Sequence, residues 1–180
     1  GSGTTLVEGV VNEINSVGID LNPIAYIISK AKTNHYSAKE ISEVQNFISE
    51  FEKLTSNGSF AKWYAKSKNE ITLPDIPNLN HWFQKNVSSE LAILKKRIDA
   101  TKNTNIKDLF YCAFSKIIVK VSNQDSEVRY TAKNKKHPDG IVFSSFIETV
   151  NNYLTALDTT EHLINAKAKV HNGDTYEVLK

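Results

Sequence analysis

Little in this sequence offers covalent or metal chemistry. A single cysteine, Cys112, excludes an internal disulfide and a cysteine-based zinc site, and it fits a reducing compartment. It falls inside an apolar helical pattern, which reads as a buried, inert thiol rather than a nucleophile. The histidines His35, His81, His137, His162 and His171 are scattered without His-x-x-x-His or carboxylate-rich spacing, so no metal site is expected. None of the four prolines, Pro23, Pro74, Pro77 and Pro138, stands beside another. Gly-x-Ser-x-Gly, a Walker loop and a paired-carboxylate pattern are absent, which leaves hydrolase and kinase readings without support. No run approaches the ~18 consecutive apolar residues of a membrane span, and no signal peptide is recognised. A soluble, cytoplasmic protein without membrane contact is the expectation.

What is present is an ordinary globular composition: 180 residues, 40% hydrophobic and 23% charged, enough for one domain or one plus part of another. The net charge of +2 neither demands nor excludes nucleic acid. A pI near 8.5 is below the strongly basic footprint of a domain held mainly by phosphate contacts.

The chain opens with a glycine turn, Gly1-Ser2-Gly3, running into a helix with Leu6, Val10, Val11 and Ile14 at helical spacing and Thr4 or Thr5 as its cap. Residues 16–21 read as a short buried strand ending at Asp20, and Pro23 starts a second helix capped by Asn22, with Ile24, Ile27, Ile28 and Ala31 on its apolar face. A glycine turn at a helix N-terminus lets a ligand approach the backbone, and an acid at the carboxyl end of the next strand can accept hydrogen bonds from ribose hydroxyls. The alternative role for Asp20 is to cap the helix of Pro23. Gly1-Ser2-Gly3 also has the look of a cloning linker.

From residue 37 onward the periodicity is helical. Ser37 and Glu40 form a capping box ahead of Ile41, Val44, Ile48, Phe51 and Leu54, ended by Asn57-Gly58. A short helix carries Phe60, Trp63 and Tyr64, and residues 70–78, with Pro74 and Pro77, form an extended connector. A helix over 80–101 holds Val87, Leu91, Leu94 and Ile98, and Trp82-Phe83 reads as core packing. The helix over 106–121 is apolar nearly all round and so central to its domain. A last helix carries Phe143, Phe146, Ile147, Val150, Leu154 and Leu157, making five in this middle region. Lys95-Lys96-Arg97 is the wet face of its helix. Between the last two helices, the polar residues 122–140 hold Arg129, Tyr130, Lys133, Lys135, Lys136 and His137, suited to phosphate contact or base stacking but equally to a solvated basic loop. The tail from Ala166 alternates like a strand and turns at Asn172-Gly173-Asp174.

Gly1-Ser2-Gly3-Thr4-Thr5-Leu6-Val7-Glu8 followed by Gly18-Ile19-Asp20-Leu21-Asn22-Pro23 resembles motifs I and II of S-adenosylmethionine-dependent DNA amino-methyltransferases, which methylate adenine N6 or cytosine N4. The resemblance implies an α/β chain: a partial Rossmann-like fold containing strands two and three only, residues 1–36 and 165–180, with a large all-α insertion over 37–164 that makes it predominantly helical. It implies S-adenosylmethionine as cofactor, with Gly1, Gly3 and Thr4 at its methionine part, Asp20 with Asn22 at the ribose, and Asp174 at the adenine. It implies DNA as partner, met by the insertion through Arg129, Tyr130, Lys133, Lys135 and Lys136, and leaves room for a restriction endonuclease partner. Two family features are absent: the strand ending Asp-Pro-Phe before the glycines, and the catalytic Pro-Pro-Tyr/Phe. The chain is therefore expected to be a fragment without catalytic residues, inactive alone. An RNA methyltransferase acting on guanine N2 shares similar openings, and a non-catalytic helical interaction module is a reading from another class.

Overall fold

A computed structural model describes residues 1–56, 58–126, 130–133, 135–160 and 166–178. In chain order the elements are α1 (Thr4–Val11), β1 (Ser16–Asp20), α2 (Pro23–Thr33), α3 (Ala38–Ser56), α4 (Phe60–Lys68), α5 (Leu79–Trp82), α6 (Lys85–Asp99), α7 (Thr104–Val121), α8 (Ile141–Thr160), β2 (Ala168–Asn172) and α9 (Thr175–Val178). Among the described residues the chain is mostly helical, with one small parallel sheet of two strands.

β1 and β2 pair in register from Ser16 with Ala168 to Asp20 with Asn172. Strands so distant in sequence meet because the helices between them return the chain to its starting point. α1 lies on one face of this sheet at close range. A Cβ on Gly18 would come within 2.7 Å of Leu6 Cδ1, so any larger residue would have to displace the buried Leu6 side chain. Gly3 works similarly. It sits at φ +75°, and a Cβ there would meet Ser29 of α2 at 2.7 to 2.8 Å.

Several expectations for this end need correction. Gly3, not Thr4 or Thr5, is the N-cap of α1, and no side chain caps it, because the left-handed turn brings the chain in at an angle set by contact with α2. Leu6 and Val10 are buried, but Val11 and Ile14 are exposed. β1 is not a buried strand: Val17 is 63% exposed, since its side chain lies on the face of the strand opposite α1. In α2 the buried positions are Ala25, Ser29 and Ala31, while Ile24 faces out. The Asn22 cap is as expected, its side chain accepting from Ile24 N at 2.9 Å ahead of Pro23 at the first helical position.

The helices between the strands form the main core. Phe51, Phe110, Phe143 and Phe146 are fully buried. Phe47 lies 4.3 Å from Phe110 between ring centroids, and Phe51 stacks on Phe143 at 5.0 Å. Burying each such side chain is worth about 1.5–3 kcal/mol. α7 is central, packing against α2, α6 and α8, as its nearly all-round apolar surface predicts. The Ser37–Glu40 capping box is formed: Ser37 N donates to Glu40 Oε2 at 2.9 Å and Glu40 N to Ser37 Oγ at 3.3 Å. Glu40 Oε1 also accepts from Asn103 and Asn105, tying the start of α3 to the start of α7.

The long helix expected over 80–101 is instead two, α5 and α6, so six helices rather than five are found among the described residues of this region. Phe83 is extended at φ −136°, ψ 137°. No proline or glycine is responsible. The Trp82 carbonyl accepts from Asn123 N at 2.8 Å, and Phe83 packs against the core. Tertiary contacts override local helix propensity here.

Candidate functional site

The parallel register makes Asp20 the last residue of β1 opposite Asn172, and both strands end at the same edge of the sheet. Asn172 Nδ2 donates to Asp20 O at 3.0 Å and Gly173 N to the same carbonyl at 3.1 Å, so the turn into Asp174 is fastened to the end of β1. In α/β sheets ligands bind outside the carboxyl ends of the strands. Asp20 Oδ1 accepts from Asn22 N at 2.9 Å, and Oδ2 lies 2.8 Å from the Gly1 amine. The Asp20 side chain is 27% exposed.

Gly1 and Gly3 therefore stand on either side of the turn that reaches Asp20. Nothing lies within 4 Å of a Cβ placed on Gly1, which marks open space. Thr4 opens α1 and lines a 340 Å³ recess shared with Lys32, Cys112 and Tyr153. Burial raises the Cys112 thiol pKa, as expected of an inert core cysteine. Asp174 Oδ1 accepts from Tyr176 N at 2.9 Å, capping the short α9. The structure thus brings Gly1, Gly3, Asp20, Asn22 and Asp174 to one end of the molecule.

The basic segment belongs to the helical part. Arg129 lies outside the described residues, as does His162. Tyr130 is 85% exposed. Lys133 Nζ pairs with Asp125 Oδ1 at 2.5 Å, and the chain folds back through a bridge between Gln124 and Ala132. Lys136 is exposed and Lys135 partly buried. Residues absent from the sequence reading hold this segment. Gln84 Nε2 donates to Lys135 O, its Oε1 accepts from His137 N at 3.2 Å, and Asn86 Nδ2 donates to His137 O at 3.2 Å. Glu90, wholly buried, accepts from Gly140 N at 2.7 Å and Val142 N at 3.1 Å, capping α8. Burial raises its pKa, opposed by those two bonds. A signal for Glu90 existed: it falls three residues after Val87 and four before Leu94, on the buried face.

Lys95, Lys96 and Arg97 are exposed and paired with Asp99, Glu70 and Glu50 respectively, the wet face expected of them. Among the described residues no group of three or more His, Cys, Asp or Glu is placed to hold a metal ion. No described helix is long and apolar enough to cross a membrane.

Comparison with known proteins bears on the family of the chain. Over 127 residues, 68% of this chain, it is 33% identical to the Type II methyltransferase M.MvaI of Kocuria varians. The chain is related to the Type II methyltransferases. A second relative, the Type II methyltransferase M.MjaII of Methanocaldococcus jannaschii, is 28% identical over 140 residues, 75% of this chain. The resemblance to DNA methyltransferases is thereby borne out. The matches cover 26% and 25% of those relatives, so the chain spans about a quarter of the length of each Type II methyltransferase it matches. No family model matches it, and no solved structure gives a significant match.

Proposed function

We propose that this chain is part of a DNA methyltransferase that uses S-adenosylmethionine to methylate an exocyclic amine of adenine or cytosine. Residues 1–36 and 165–180 belong to a Rossmann-like cofactor-binding core, and 37–164 are an insertion that meets DNA. The observation that carries the reading is the convergence of Asp20 and Asp174 at one sheet edge, from the two ends of a chain related to Type II methyltransferases.

The residues fit such a ligand. Asp20 presents a carboxylate at the sheet edge, one oxygen accepting from Asn22 N, and the other would accept from ribose hydroxyls. Asp174 lies two residues past the end of β2 and accepts from the adenine amine, while Gly1, Gly3 and Thr4 border the methionine part. When bound, S-adenosylmethionine supplies an activated methyl group on sulfur. The chain's own part is to bind and orient. It carries no Pro-Pro-aromatic motif to hold a target amine beside a flipped base, so these residues alone transfer no methyl group. A restriction endonuclease of matching specificity is the natural partner of such an enzyme.

The test is incorporation of labelled methyl groups into duplex DNA. A full-length enzyme bearing this segment should methylate DNA in preference to tRNA, and Asp20→Ala in it should lower kcat/KM at least 100-fold, about 2.7 kcal/mol. Transfer to DNA by the 180 residues alone would overturn the reading of them as a half-site. Preference for tRNA would favour guanine-N2 chemistry.

A further inference from the structure

The amide contacts beneath the basic segment join it to a second basic strip that periodicity alone assigns to an ordinary helix start. Gln84 is the N-cap of α6, and its side chain is spent on the loop: Nε2 donates to Lys135 O and, at 3.3 Å, to Asn123 Oδ1, while Oε1 accepts from His137 N. Asn86 grips His137 O and, at 3.0 Å, Asp139 Oδ1. Asn123 reaches the other way, its Nδ2 donating to His81 O at 3.0 Å. The turn between α5 and α6 and the loop before α8 are thus one hydrogen-bonded body.

The charge on that body is one-sided. Residues 81–86 bring His81 and Lys85, and residues 130–133 and 135–139 bring Lys133, Lys135, Lys136 and His137; of the described acids here, Asp139 is engaged by Asn86 and Asp125 by Lys133. Lys133 is neutralised by Asp125. Lys85 and Lys136 are exposed and form no ion pair with another described residue. Lys95, Lys96, Arg97 and Lys120 of the helices each meet a carboxylate. Unpaired cations on a body held together by neutral amides leave their charge available to an outside anion, and on the DNA reading that anion is the nucleic-acid backbone.

We infer that Lys85 and Lys136, clamped together by Gln84, form one phosphate-contacting face for duplex DNA, with Gln84 the positioning residue. This rests on the DNA reading above and adds Lys85, Gln84 and the α5–α6 turn to it. Lys133 serves the loop's own fold rather than the contact.

The test is fluorescence anisotropy of the 180-residue chain with a labelled 20-base-pair duplex, across a range of salt concentrations. Lys85→Gln and Lys136→Gln should each reduce the slope of log affinity against log salt by about 0.9, and the double variant by about twice that. Lys102→Gln, an exposed lysine on the distant α6–α7 turn, should leave it unchanged. Gln84→Ala should weaken binding without removing a charge, with helical circular dichroism intact. Binding by the wild type with Lys85→Gln indistinguishable from Lys102→Gln would overturn this inference and leave the DNA reading standing. No binding by the wild type, or tighter binding to an RNA duplex, would overturn both.

Discussion

The two ends of the chain and its middle are built to different standards of packing. Around β1 and β2 large apolar residues face outward: Ile14 is 61% exposed, Val17 63%, Leu21 70% and Ile24 54%. In the helical part Phe110, Phe143, Phe146 and Leu94 are all 0% exposed. The sheet has two strands and one close-packed helix face, whereas α7 is surrounded. Stability therefore resides in the helices, and the sheet is held in place by them. α2 packs along α7, and Lys30 Nζ meets Asp108 Oδ2 at 2.7 Å across that joint. A ligand edge carried by a sparse sheet is ordered by its neighbour, not by its own core.

The largest effect should come from cutting the helical core. Phe143→Ala removes a ring that touches Phe51, Phe60 and Trp63, and should cost about 4 kcal/mol in urea-unfolding free energy. Next comes Glu90→Ala, which leaves the Gly140 and Val142 amides buried without an acceptor and should cost about 3 kcal/mol. Glu90→Gln, able to serve only one amide well, should cost about half as much in the same unfolding series.

Asp108→Ala probes the joint. It should cost about 1 kcal/mol globally, yet raise hydrogen exchange in β1 and β2 more than in α3 or α6. Equal exchange in both regions would erase the contrast. Acid offers a related probe: Glu40, held at a pKa of about 2 chiefly by the Ser37 backbone and hydroxyl, has its pKa depressed from the ordinary 4.5. Its contribution is fully present above that unfolded value and is lost as pH falls toward 2, about 1 kcal/mol after allowance for solvent screening. Glu40→Gln should flatten that part of the stability profile. Smallest of all, Val17→Lys on the open face of β1 should shift the unfolding free energy by under about 0.5 kcal/mol.

Much of this was readable in advance where the signal is local. The capping box at Ser37, the Asn22 cap before Pro23, the connector at 70–78 and the apolar girth of α7 all follow from residues within a few positions of each other. The pairing of β1 with β2 followed from a resemblance rather than from periodicity. What escaped depends on distant partners. At the break at Phe83, Asn123 bonds the Trp82 carbonyl, and Gln84 and Asn86 gain their roles from His137 and Lys135, some fifty positions on. Exposure of Val17, Ile24 and Ile14 was misjudged for the same reason, since apolar character says a residue can be buried and only the fold says by what. At the site, the residues of the glycine turn and both acids meet at one edge, but Gly3 owes its identity at least as much to Ser29 behind it as to any ligand in front.

The central claim is that the sheet edge at Asp20 and Asp174 holds S-adenosylmethionine. Amide chemical shifts of the isotope-labelled chain, followed as the ligand is raised to millimolar concentration, test it most directly. The account predicts saturable shifts at Gly3, Asp20, Asn22, Gly173 and Asp174, weak in affinity, lost in Asp20→Ala and absent from α3 and α6. Shifts confined to the helical part, or none at all, would contradict it.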